Sequence, residues 1–208
     1  MHTSTFAVGS LVALGELLRD SSLGALAIGA DVVVVPTAAA FTGADRAAIA
    51  VATVLDEFDV RVEALMVTDR AASAQDYFAR RVGEADLVVL CDGSPLHARA
   101  TWRDTPLGEA IRGAAKIVAI GAVAGVLGEV MIDPRGGAPT NGLDYRRGVA
   151  ITTAASDEQL TRTRRLLAPE VTLVVLGARG VLVGEDATWR LVRGEDTVAT
   201  RGDLEVTL

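Results

Sequence analysis

The sequence predicts an α/β protein in three layers, a mostly parallel sheet flanked by helices, with a C-terminal β-hairpin or meander. Three observations carry this. Apolar runs bounded by turn residues recur along the chain with helical stretches between them, the pattern of parallel strands joined by crossover helices. Half of the 208 residues are hydrophobic but only 4% are aromatic, so the core must be Val, Leu, Ile and Ala, whose small side chains let helices lie close on a sheet. Lastly, residues 116 to 126, K-I-V-A-I-G-A-V-A-G-V, read as a buried strand that runs into a small-residue turn and then a helix.

Taken in order, strands are expected at Thr5 to Val8, Asp31 to Val35, Val60 to Met66, Asp86 to Cys91 and Ile117 to Ile120. Helices are expected at about Leu11 to Arg19, Ala44 to Phe58, Ala74 to Val82 and Pro106 to Gly113. The second of these carries Asp45 in its first turn, where a carboxylate faces the positive end of the helix dipole, and repeats Ile49, Ala52 and Leu55 at helical spacing. Asp133 to Asn141 is rich in Gly and Pro and reads as a loop, shaped by Pro134 and the paired glycines 136 and 137. A strand at Val149 to Thr153 and a helix at Asp157 to Leu167, with Arg162, Arg164 and Arg165 on its polar side, follow. The tail then alternates short β-like runs with turns, at Thr172 to Leu176, Gly180 to Val183, Thr188 to Val192 and Thr197 to Thr200, as a meander closing the sheet edge. No repeat, low-complexity segment or linker interrupts the pattern, so one domain is expected over 1–208.

Charge and composition exclude several functions. A net charge of −7 opposes binding to nucleic acid, whose phosphates need a basic face. No apolar run approaches the roughly 20 residues of a bilayer span, and Met1 to Thr5 carry no basic leader, so a cytoplasmic location without membrane contact is the expectation. The one cysteine, Cys91, has no partner for an internal disulfide, which agrees with a reducing compartment. Two isolated histidines, His2 and His97, and one cysteine do not make a tetrahedral metal site, and no cofactor is implied.

The turn at 121–125 has the form of a nucleophile elbow, in which small residues are required because strand and helix backbones pass close together. Gly121, Ala122, Ala124 and Gly125 meet that need; at the apex stands Val123, which has neither a lone pair nor a transferable proton. Asp92, Gly93, Ser94 and His97 follow a strand, at the carboxyl end where open α/β sheets bind ligands. Pro95 separates Ser94 from His97, with no orienting acid evident, and His97 reads as a solvated helix residue. Cys91 lies off the elbow with no histidine beside it, so its thiol is expected near the ordinary pKa of about 8.5.

The elbow resembles the G-x-S-A-G-A elbow of the cyanophycinase and dipeptidase E-like serine peptidases, a branch of the class I glutamine amidotransferase-like fold. V-V-V-V-P-T-A-A-A at 32 to 40, A-D-L-V-V-L-C-D-G-S-P-L at 85 to 96 with D-T-P-L at 104 to 107, and D-P-R-G-G-A at 133 to 138 with Gly142 and Leu143 agree in order and spacing. The resemblance places the family's serine at Val123 and its histidine at Thr153, or at Ser156 on a shifted alignment, so both catalytic partners are absent. It assigns oxyanion N–H donors to the Gly9 and Ser10 region and to Ala124, puts Asp92 where the family has glycine, and makes Arg135 either a carboxylate-positioning residue or a loop-holding partner of a nearby acid. The pocket it implies is lined by Gly9, Ser10, Asp92, Gly93, Ser94, Val123, Ala124 and Arg135.

Loss of both members of a cooperating pair is what abandonment of hydrolysis would leave, because the partners act as a unit. The chain is therefore expected to be a non-catalytic relative that binds a small peptide or carboxylate ligand, or serves assembly as a homodimer or with a partner protein through Leu11 to Leu18 and the tail hairpin. The competing expectation is an active peptidase or amidohydrolase with a rearranged nucleophile, Cys91, Ser94 or Thr153.

Overall fold

The computed structural model describes residues 4–20, 28–153, 155–185, 188–202 and 204–208; His2 and Asp203 lie outside the described residues. Five strands, β1 (Ser4–Val8), β2 (Asp31–Val35), β3 (Arg61–Ala64), β4 (Leu87–Leu90) and β5 (Lys116–Ile120), run parallel. The hairpin of β10 (Val181–Glu185) and β11 (Thr188–Arg193) continues the sheet antiparallel to β1, giving the order β11-β10-β1-β5-β4-β2-β3. The Val-rich runs of β2 and β4 are apolar at nearly every position because both sheet faces are covered, as parallel strands require.

Alternation along the strands divides the core in two. Val32, Val34, Leu87, Val89, Val118 and Ile120 face α1 (Leu11–Arg19) and α2 (Ala44–Leu55). Val33, Val35, Val88, Leu90, Ile117 and Ala119 face the opposite layer. That layer is built from α3 (Arg70–Ser73), α4 (Asp76–Gly83), α5 (Pro95–Trp102), α6 (Pro106–Gly113) and a 3-10 helix, Gly121–Leu127. The helix α1 spans its expected residues because Ser10 caps it, its side chain accepting the Ala13 N–H. The apolar face expected to meet a partner is consumed by the core: Leu14, Leu17 and Leu18 are buried, and Val12, 58% exposed, is the large apolar residue of α1 left outside.

Several elements differ from expectation. The stretch expected as one helix at Ala74 to Val82 is preceded by the separate turn α3, which Asp69 caps through Ala72 N–H. The helix α5, around His97, is additional to the expected set; its sequence signal is Ser94 as cap with Pro95 in the first turn. The elbow turn and the residues after it form one 3-10 helix, Gly121–Leu127, rather than a turn leading into an α-helix. The segment Asp133 to Asn141, expected as a loop throughout, ends in β7 (Pro139–Asn141), which pairs antiparallel with β6 (Val130–Ile132). The tail also divides. Only β10 and β11 extend the main sheet, while β8 (Val149–Thr152), β9 (Thr172–Val175), β12 (Val198–Arg201) and β13 (Leu204–Glu205) form a second sheet ordered β13-β12-β9-β8. The last helix, α7 (Asp157–Leu166), joins β8 to β9, which pair in parallel.

Candidate functional site

The carboxyl ends of β1, β4 and β5 converge on the turn that leaves β5. Gly121 adopts φ +63°, and an added Cβ would fall on the Asp92 carboxylate, so both conformation and space require glycine. Asp92 sits in the loop after β4, exposed, and its Oδ1 accepts the main-chain N–H groups of Gly93 and Ala122, each at 2.8 Å. The Ala122 amide of the elbow is thus engaged by a carboxylate of the chain itself. The loop is held from below: Gly93, at φ +150°, leaves no room for a Cβ beside the Ala38 carbonyl, to which Ser94 N–H donates at 2.7 Å.

Val123 is 0% exposed within the apolar cluster. Among the described residues it is not one with positive φ; the left-handed position is Gly121, two residues earlier than the apex of a nucleophile elbow. Ala124 is buried beside it, and Gly125 is small because the 3-10 helix passes against the Ile151 carbonyl of β8. The small-residue requirement therefore comes from close backbone approach. It coexists with an apex side chain packed into the core.

Of the expected oxyanion donors at Gly9, Ser10 and Ala124, the Gly9 amide is committed elsewhere. Gly9 N–H donates to the Gly180 carbonyl at 2.9 Å, and Gly9 packs against Gly177 with no space for a side chain. Ser10 Oγ donates to the Ala178 carbonyl at 2.6 Å while accepting Ala13 N–H, so the pair fastens the start of α1 to the β9–β10 connection.

The candidate nucleophiles are dispersed. Cys91, 1% exposed, faces the α1/α2 side of the sheet with Val89 and Ile120. Burial, and then the neighbouring Asp92 charge, push its thiol up to about 12, against the expectation of an ordinary value. Such a thiol supplies almost no thiolate at neutral pH. Ser94 Oγ accepts the His97 main-chain N–H as the α5 cap, whereas the His97 ring bonds through Nε2 to the Thr68 carbonyl at 2.7 Å and lies 4.6 Å from the Phe41 ring. A carbonyl can only accept, so Nε2 carries the proton and is committed to Thr68 rather than to Ser94. Thr153 stands in the bend after β8, and Ser156 caps α7.

Arg135 sits apart from the elbow, at the β6–β7 hairpin tip. Its acid contact is through the main chain, Arg135 N–H to Asp133 Oδ1 at 2.9 Å, rather than through the guanidinium as a loop-holding pair would require. The tip and α7 enclose a groove of about 770 Å³ into which Arg135, Arg162 and Arg165 bring their charge. Sequence reasoning treated the Arg162–Arg165 run as a solvated helix face; the signal it lacked is the hairpin that folds Arg135 against that face.

Neither a protein-family model nor a curated protein sequence matches the chain. Among solved structures it is similar to a peptidase from an acI-B1 Actinobacterium, with TM-score 0.74 and 19% identity over 100% of this chain and 98% of that one. It is also similar to a putative peptidase E protein from Listeria monocytogenes EGD-e, with TM-score 0.65 and 12% identity over 97% and 99% of the two chains. At these identities the likeness defines the fold: a peptidase E-like, class I glutamine amidotransferase-like α/β architecture along the whole length.

Proposed function

We propose that the protein is a non-catalytic counterpart of the cyanophycinase and dipeptidase E-like peptidases, acting as a ligand-binding or assembly scaffold. The observation that carries this reading is the Asp92 carboxylate bonded to the Ala122 amide of the elbow and to the adjoining Gly93 amide of its own loop. Acyl transfer needs preorganised donors free to receive a developing oxyanion. Here a fixed carboxylate is already bonded to the Ala122 amide, two residues before the expected donor Ala124, and its charge opposes an oxyanion developing at the elbow. A fully buried valine at the apex and a threonine at the histidine position add the absence of nucleophile and base.

The test is hydrolysis of aspartyl dipeptides and β-aspartyl-arginine polymer by the purified protein. No turnover above buffer is expected from the unmodified chain or from Cys91→Ala. Turnover that disappears with Cys91→Ala, or with Ser94→Ala, would overturn the reading by locating a working nucleophile.

A further inference from the structure

We infer that the groove between the β6–β7 hairpin tip and α7 is a binding site for a small anion carrying two or more oxyanion groups. The inference stands apart from the elbow and does not depend on whether that site turns over substrate.

The groove is a built feature. Gln159 Nε2 donates to the Pro134 carbonyl at 3.2 Å, and Thr163 Oγ1, fully buried, donates to the Gly137 carbonyl at 2.6 Å. Gly137 adopts φ +70°, and a Cβ there would stand 2.6 Å from the Gln159 carbonyl, so the tip is seated on the helix with no intervening space. The walls therefore hold their separation without a ligand, which lowers the ordering cost of binding.

Its charge runs against that of the molecule. In a chain of net charge −7, three of the groove's lining side chains are arginines and one, Glu158, is acidic. Several arginines outside the groove pair with acids: Arg81 with Asp31 and Glu63, Arg147 with Asp144, and Arg179 and Arg193 with Glu16. Among the described residues the guanidinium groups of Arg135, Arg162 and Arg165 have no such partner. Arg162 lies across the tip, its Nη1 3.3 Å from where a Gly136 Cβ would stand, which turns the group into the groove.

The ligand class follows from the donors. Each guanidinium is a planar fork suited to one carboxylate or phosphoryl group, and the forks come from two elements. One monovalent carboxylate would leave the other forks unengaged, whereas a diphosphate or a tricarboxylate would span them. The α7 N-terminus contributes little, because the Ser156–Gln159 capping box already uses its end groups and Asp157 and Glu158 occupy its first turn. Glu158 opposes the anion and limits its affinity.

Isothermal titration of the full chain with pyrophosphate, citrate and acetate at about 0.15 M salt tests the site. Pyrophosphate or citrate, or both, should bind saturably at one site and acetate should not; the two multivalent arms separate phosphoryl from carboxylate ligands. Arg162→Ala with Arg165→Ala should weaken binding at least about tenfold, as loss of charge-assisted hydrogen bonds implies. Arg147→Ala, outside the groove, should leave it unchanged, and Glu158→Gln should tighten it several-fold, a gain that a damaged fold would not produce. Absence of saturable binding by both multivalent probes, equal loss in the Arg147 control, or no response to Glu158→Gln would overturn the inference.

Discussion

Asp92 and Gly121 form one device: the glycine supplies the positive φ and the empty volume, and the carboxylate fills that volume to reach two amides. Asp92→Ala should destabilise the protein by about 1 kcal/mol, the net worth of exposed charge-assisted bonds, and Asp92→Asn by less because an acceptor remains. Gly121→Ala should cost about 1–3 kcal/mol from the left-handed backbone alone, and more while Asp92 is in place. Combining Gly121→Ala with Asp92→Ala should therefore cost less than the sum, a coupling that urea melts of the four proteins of the cycle would read; strict additivity would mean the two do not share that space. Cys91 makes a separate prediction at this scale. A thiol raised from 9.0 to about 12 is protonated in the folded chain where the unfolded one is already ionised, so the stability it contributes is complete below pH 9 and is lost as pH rises towards 12. Stability of the unmodified protein should fall by about 1 kcal/mol per pH unit more steeply than that of Cys91→Ala over this window, and native Cys91 should resist a thiol reagent until urea is added. Equal slopes in the two proteins would show that the thiol is not held neutral.

Among the elements, those whose limits are written locally were the most legible. The starts of α1 and α6 follow from Ser10 and Thr105, side chains that accept a hydrogen bond from the first turn, and the limits of β2 from its uninterrupted valines. Elements set by distant partners were not: Pro139 to Asn141 become a strand only because Val130 to Ile132 lie beside them, and the tail divides between two sheets by pairings that no local pattern encodes. The site shows the same division. The charge that Asp92 brings to the loop is visible in the sequence, but the amide it meets belongs to Ala122, thirty residues on, and the opposite layers taken by Cys91 and Val123 depend on how β4 and the 3-10 helix pack. The helix α7 offers a prediction of its own. Ser156 and Gln159 reciprocate in a capping box, and the same helix anchors the hairpin tip through Gln159 and Thr163. Ser156→Ala should cost about 1 kcal/mol by thermal melt, whereas Thr163→Val, which leaves the Gly137 carbonyl without its hydroxyl donor, should cost about 1–3 kcal/mol and raise hydrogen exchange at the tip. An unaltered tip in Thr163→Val would mean that this hydroxyl does not seat it.

At the scale of the whole molecule the question is whether the two sheets are one cooperative unit. Their packing argues that they are: Val149, Ile151, Val174 and Leu176 of the second sheet and its flanks share one buried cluster with Val33, Leu90 and Ala119 of the first. Two polar ties cross the same region. The buried Arg146 donates through Nε to Thr5 Oγ1 of β1 at 2.6 Å, and Trp189 of β11 donates through Nε1 to the Arg147 carbonyl at 3.0 Å, just before β8. A shared apolar core removes the separate hydration that would let one sheet open alone, so amides of β4 and of β9 should exchange through the same global unfolding event. The edge strands β3 and β13, both largely exposed, should exchange through smaller openings. Trp189→Phe keeps most of the ring's packing but removes the indole donor and leaves a carbonyl unpaired, at a cost of about 1–2 kcal/mol. Because that carbonyl borders both sheets, native-state exchange in Trp189→Phe should show β4 and β9 losing the same protection. If β9 alone weakened, or already opened at lower free energy in the unmodified protein, the second sheet would be a separate folding unit.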